Sequence, residues 1–134
     1  MHDQRITAIL SELRAASTTP EEATQNMIAI FANPQCTLTS LNLGLNGIGN
    51  EGAIALAIAL EDPNCTLTSL DLYGNNIGPE GAIALANALK TNRTLTVLNL
   101  GWNNIGAEGV QTLTEALKDP RCTLTSLDLK MEQN

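Results

Sequence analysis

The reactive side chains of this 134-residue chain are few, and their spacing limits the chemistry open to them. The single histidine, His2, stands next to the first residue, so a histidine-dependent nucleophile or a histidine-rich metal site lacks its material. Cys36, Cys65 and Cys122 occupy one position of a recurring pattern, with Arg93 in the remaining copy, and form no closely spaced ligand set. Such cysteines pack as small apolar fillers, although stacking of successive copies would also carry Cys36 and Cys65 toward disulfide distance. Glu51, Glu80 and Glu108 recur as well, yet no His, Lys or Cys recurs beside them. Each instead falls where a glutamate complements the positive end of a helix. These residues predict no catalytic centre, no metal site and no cofactor: the chain reads as a non-enzyme.

Charge narrows the partners. Fourteen acidic side chains face seven basic ones, a net charge of −7, and no basic residue occurs between Arg14 and Lys90. Phosphate backbones and anionic membrane surfaces both require clustered Lys and Arg, so nucleic acid and membrane are excluded as expected partners. A protein with a basic surface is the complement. No apolar run is long enough to span a bilayer, and the polar start Met1-His2-Asp3-Gln4-Arg5 leads into no signal-peptide core. With no disulfide framework, a cytoplasmic location is expected.

The elements that must position these residues come from a repeat. Thr37-Leu38-Thr39, Thr66-Leu67-Thr68, Thr94-Leu95-Thr96 and Thr123-Leu124-Thr125 start segments spaced by 29, 28 and 29 residues. Three continue into a helix-forming stretch, alanine-rich in the first two copies and more polar in the third, and the fourth ends soon after Leu129. Leu41-Asn42-Leu43 alternates as a half-buried strand does, whereas Ala53 to Leu60 is helix-forming, with Leu56 and Leu60 on one face and Ile54 and Ile58 broadening it. Glycines at 49, 78 and 106 and the following Glu51, Glu80 and Glu108 mark the helix starts. One strand and one helix per repeat, about residues 37–64, 65–92 and 93–121, with a lone strand near Leu127, imply parallel strands joined by crossovers.

Leu38, Leu41, Leu43 and Asn46 fit the pattern LxxLxLxxN, as do Leu67, Leu70, Leu72 and Asn75, and Leu95, Leu98, Leu100 and Asn103. With the 28- to 29-residue period and the xEGA helix start, the chain resembles ribonuclease-inhibitor-like leucine-rich repeats. Receptor repeat arms of the NOD-like type, Ran GTPase-activating proteins and repeat proteins that intracellular bacteria deliver into host cells are similar. The resemblance implies an α/β solenoid, a horseshoe fragment with parallel strands on the concave face and helices on the convex face. It implies a protein–protein interaction module that takes a macromolecular partner on its concave face, as in an effector acting in a host cytosol without a signal peptide, with two alternatives: a GTPase-activating regulator, or a structural fragment of a larger repeat protein.

The expected organisation is one domain over residues 1–134, with a helical cap at 1–35, repeats at 36–129 and a tail at 130–134. Ile6, Ile9, Leu10 and Leu13 are spaced as in a first capping helix, and residues 20–33 as in a second, opened by Thr19-Pro20-Glu21-Glu22. Nothing comparable covers the C-terminal strand, whose Leu127 and Leu129 would invite self-association through that edge.

Aligning the repeats writes out the residues around each strand as rows. They are Thr39, Thr68, Thr96, Thr125; Ser40, Ser69, Val97, Ser126; Asn42, Asp71, Asn99, Asp128; Gly44, Tyr73, Gly101, Lys130; and Leu45, Gly74, Trp102, Met131. Asn46, Asn75 and Asn103 follow each strand, where an amide satisfies backbone groups that no sheet ladder reaches. The sole Tyr and sole Trp both fall in the rows of the open face, and these are the residue types that anchor interfaces. The partner-binding set expected from the sequence is Asn42, Leu45, Asp71, Tyr73, Asn99, Trp102 and Asp128.

Overall fold

The structure of the chain, a computed structural model, describes residues 39–130. The expected capping helices, Cys36 and Met131 lie outside the described residues. Strand and helix alternate as β1 (Ser40–Asn42), α1 (Gly49–Glu61), β2 (Ser69–Asp71), α2 (Pro79–Thr91), β3 (Val97–Asn99), α3 (Gly106–Leu117) and β4 (Ser126–Asp128). The strands form one parallel sheet in the order β1-β2-β3-β4, with Leu41, Leu70, Leu98 and Leu127 in register. The fold is an α/β solenoid. One strand per repeat leaves no room for longer ones: the chain crosses the sheet in three residues and must turn back to the helix layer.

Leucines from both layers fill the space between sheet and helices, including Leu43, Leu56, Leu70, Leu72, Leu85, Leu98, Leu100 and Leu113. With Phe, Tyr and Trp absent from it, this described core is built from leucine, isoleucine and alanine. α2 packs against α1 on one side and α3 on the other. That packing corrects one expectation. Ile54 and Ile58 do not widen the buried face of α1: they are 39% and 54% exposed, while Ala53, Ala55, Leu56, Ala57, Ala59 and Leu60 are buried. In a stack, each helix has neighbours at its flanks as well as a sheet beneath it. Small side chains fit those flanks, and the bulkier isoleucines point outward.

The glycine of the xEGA-type helix starts, Gly52, Gly81 and Gly109, is the extreme of that rule. A methyl group on Gly81 would lie 2.8 Å from Asn50 Oδ1, 2.8 Å from Ile77 Cγ2 and 2.9 Å from Ala53 Cβ. Asn50 reaches across from the previous repeat, and its Oδ1 accepts from the Gly78 and Gly81 backbone N–H groups, both at 2.8 Å. The amide that opens α2 thus comes from α1, in addition to Pro79 at the first helical position and Glu80 in the first turn.

The one-residue difference between repeat spacings resides in the returns from helix to strand. After α1 and α3 the chain turns through Asp62-Pro63-Asn64-Cys65 and Asp119-Pro120-Arg121-Cys122, where the aspartate Oδ1 accepts from the N–H two residues on. After α2 the shorter return uses Asn92, which is buried. Its Oδ1 accepts from the N–H groups of Thr94 and Leu95, and its Nδ2 donates to Leu60 O at 2.8 Å. Cys65 and Cys122 are free thiols packed half-buried against the core, as fillers.

Candidate interaction surface

Each strand carries its middle leucine inward and its flanking residues outward, and the register aligns those outward residues into rows. Asn42, Asp71, Asn99 and Asp128 therefore form one line across the open face, as expected. They also have local work. In each, Oδ1 accepts the backbone N–H two residues ahead: Gly44 at 2.9 Å, Tyr73 at 3.0 Å, Gly101 at 2.8 Å and Lys130 at 2.9 Å. These Asx turns take the chain out of the strand, and either Asn or Asp supplies the required oxygen. At Asp71 and Asp128 the second carboxylate oxygen and the charge remain in addition.

Beyond each turn the backbone enters a left-handed conformation. Leu45, Gly74 and Trp102 have φ of 61°, 63° and 59°, the same geometry in three successive coils. Glycine adopts this freely, whereas a bulky L-residue is held there against about 1–2 kcal/mol of steric cost. Despite that cost Leu45 is 71% exposed and Trp102 46% exposed. Leu45 leans over Gly74, its Cδ2 lying 2.6 Å from the point a Gly74 Cβ would occupy. Tyr73 and Trp102 meet with ring centroids 6.1 Å apart and planes tilted by 56°, within the range of favourable aromatic pairs. Gly101 lies close beneath: an added Cβ would press on Asn99 Oδ1 at 3.1 Å and Lys130 O at 3.2 Å and would meet Tyr73 Cδ1 at an ordinary 3.4 Å.

The structure thus brings Leu45, Tyr73 and Trp102 into one apolar ridge at the C-terminal side of the sheet. Asp71 lies two residues before Tyr73 in the chain, and Asn42, Asn99 and Asp128 continue the line beside it.

Two further rows support the surface from within. Asn103 Oδ1 accepts from Asn75 N and Ile77 N, both at 2.9 Å, and its Nδ2 donates to Leu72 O, Leu100 O and Gly101 O. Asn75 does the same for the coil before, accepting from Asn46 N at 2.9 Å and Ile48 N at 3.3 Å and donating to Leu43 O at 2.9 Å. At the other end of the strands the threonines of the TLT motif run up the stack. The hydroxyls of Thr68, Thr96 and Thr125 donate to the carbonyls of Thr39, Thr68 and Thr96, and those of Thr94 and Thr123 to Leu67 and Leu95.

Sequence reasoning placed the asparagines but missed the threonine ladders and the left-handed column. The threonines carried a signal in their identity at every copy. A glycine sharing a column with Leu and Trp was the signal for positive φ.

Among the described residues no cluster of three His, Cys, Asp or Glu is placed to hold a metal, and no helix is long and apolar enough to cross a membrane. The strongest electrostatic shift belongs to a loop rather than to the sheet. A hydrogen bond from the Arg121 side chain, together with the Arg121 backbone N–H, holds the Asp119 carboxyl down at about 2. Their contact of 3.1 Å tightens the return into β4. Because the folded carboxyl is the stronger acid, that tightening is present at neutral pH and is lost only as pH falls from about 4 toward 2.

Comparison with known proteins agrees with this geometry. A family profile described as Leucine Rich repeat matches residues 35–57, 64–86 and 91–113, together more than half of the chain. Among solved structures, leiomodin-1 actin-binding site 2 is similar, with a TM-score of 0.66 and 29% sequence identity. The match covers 86% of this chain and 62% of that one. No curated protein matches. Each matched segment takes in the strand and most of the helix of one unit, and the chain belongs to the leucine-rich repeat family.

Proposed function

We propose that the chain is a non-catalytic binding module that takes a protein partner with a basic surface on the open face of its sheet. Leu45, Tyr73 and Trp102 are the apolar anchors, and Asp71 and Asp128, aligned with Asn42 and Asn99, form the charged rim. One observation carries this reading: two bulky apolar residues are held exposed in a strained backbone conformation that Gly74 occupies without strain in the coil between them. Strain of this kind persists where something other than stability retains it. The neighbour named for an actin-binding site supports a protein ligand. On this reading the repeats are of the ribonuclease-inhibitor-like type, and the chain acts in a cytoplasm, its own or that of a host as an effector. A GTPase-activating role has less support, because among the described residues the arginines are Arg93 and Arg121, both in returns from helix to strand.

The test is affinity capture with the full chain, followed by solution binding of the captured protein to variants. Trp102→Ala is expected to weaken binding by about 2 kcal/mol, roughly 30-fold, with folding nearly unchanged. Trp102→Gly, which copies Gly74, is expected to weaken binding equally while keeping or raising thermal stability, since it relieves the backbone. Asp128→Asn retains the turn oxygen and is expected mainly to slow association and flatten its salt dependence. Binding that survives Trp102→Ala but is lost on Ile58→Ser would assign the interface to the helices instead.

The C-terminal edge supports a second property, self-association of two copies. Val110, 39% exposed on α3, and Leu129 border an open depression of about 440 Å³ beside β4, the last described strand. Sedimentation is expected to show a concentration-dependent dimer that Val110→Lys abolishes. A monomer at all concentrations would rule the second property out.

A further inference from the structure

The spacing and charge of the open face select one shape of partner segment. We infer that the face takes an amphipathic basic α-helix laid across the strands, a deepening that rests on the binding reading above.

The apolar anchors Leu45 and Trp102 stand two coils apart, and so do the carboxylates Asp71 and Asp128, in a parallel row. Neighbouring strands are about 4.8 Å apart, which puts two coils at about 9.6 Å. Seven residues of α-helix advance about 10.5 Å and return to the same face, with the intermediate turn at about 5.4 Å. An extended segment repeats its face every two residues, at about 6.7 Å, which matches neither one coil nor two.

A helix thus places apolar residues at i and i+7 against Leu45 and Trp102, with i+3 or i+4 over Tyr73. Its adjacent flank places Lys or Arg at the same seven-residue interval against Asp71 and Asp128. Those two carboxylates spend one oxygen on the turn and keep the other, and Asn42 and Asn99 in the same row carry no charge to add. Basic residues at every turn are therefore not required: the charges repeat every second coil, as the anchors do. The chain's net charge of −7 acts in the same direction.

Two displayed peptide libraries, panned on the full chain, test this. One holds its peptides on a stable helical scaffold, and the other holds them extended by interspersed prolines. Trp102 is the only tryptophan, so its emission reports directly whether a bound peptide covers the ridge. The helical library is expected to yield binders with apolar residues at i, i+3 or i+4, and i+7, and Lys or Arg at a seven-residue interval. They should shift Trp102 emission to the blue, weaken at least tenfold on Trp102→Ala and about threefold or more on the double change Asp71→Asn, Asp128→Asn at low salt. Binders from the extended library alone that still shift Trp102 would overturn the helix and leave the open-face reading standing. Binders that ignore both Trp102 readouts, or no binders from either library, would overturn both.

Discussion

Asn103→Ala is expected to destabilise the chain by about 4 kcal/mol, read as a lower urea midpoint at unchanged slope. The carboxamide of Asn103 is 3% exposed and serves five backbone groups: the N–H of Asn75 and Ile77, and the carbonyls of Leu72, Leu100 and Gly101. Alanine strips both N–H groups of their acceptor in a place water does not reach, and each orphaned group costs about 1–3 kcal/mol. Whole domains of this size are stable by about 5–15 kcal/mol, so the loss is a large fraction of the total. Asn103→Asp keeps the shape and the acceptor but points a carboxylate at three carbonyl oxygens, and is expected to cost at least as much. The adjacent Asn104 is exposed, and its replacement by Ala serves as the control, expected within about 0.5 kcal/mol of the parent. A loss at Asn103 no greater than at Asn104 would mean that the amide ladder contributes nothing.

Gly81→Ala sets two effects of opposite sign against each other. In a helix, exchanging glycine for alanine stabilises by about 1 kcal/mol through propensity alone. Here the added methyl would come within 2.9 Å of Ala53 Cβ, a short side chain with no rotamer to move, and within 2.8 Å of Asn50 Oδ1 and Ile77 Cγ2. Overpacking of that kind costs about 1–3 kcal/mol, and displacing the Asn50 amide also uncaps α2, for about 1 kcal/mol more. Sterics win: a net destabilisation of about 2 kcal/mol is expected by thermal or urea denaturation. Gly109 is a graded comparison, because its nearest neighbours, Ala82 Cβ and Ile105 Cβ, both lie at 3.1 Å, and Gly109→Ala should cost less. A stabilised Gly81→Ala would show that the helices do not approach as closely as described.

Much of this arrangement was legible because it repeats. The 29, 28 and 29 spacing fixed which residues share a register, and the parallel pairing of Leu41, Leu70, Leu98 and Leu127 follows it residue for residue. Asn75 and Asn103 were readable for the same reason: a polar side chain at a buried position in every copy has backbone to satisfy. Ile54 and Ile58 were misread because periodicity counts apolar residues without weighing their volume. In a stack of helices alanine is the residue that fits between neighbours, and the larger apolar side chain is left outside. The Asn50 cap escaped a reading made helix by helix, since the donor groups and the acceptor belong to different repeats. The exposed ridge was half legible. Rows placed Leu45, Tyr73 and Trp102 on one face, and Gly74 in the column of Leu45 and Trp102 hinted at their shared left-handed backbone, but nothing in the sequence pointed to the pairing of Tyr73 with Trp102.

The direction of the asparagine ladder has a consequence for how the chain is made. Asn75 and Asn103 both reach back toward the N-terminus: Asn75 completes the coil containing Leu43, Asn46 and Ile48, and Asn103 completes the coil containing Leu72, Asn75 and Ile77. On the ribosome the earlier coil emerges first and waits for an acceptor that lies some 26 to 29 residues downstream in sequence. At translation rates of about 5–20 residues per second that delay is roughly 1–6 s, far longer than a helix or a loop needs to form. A nascent coil therefore holds those two N–H groups on water until its successor arrives, and the ladder closes one coil behind synthesis.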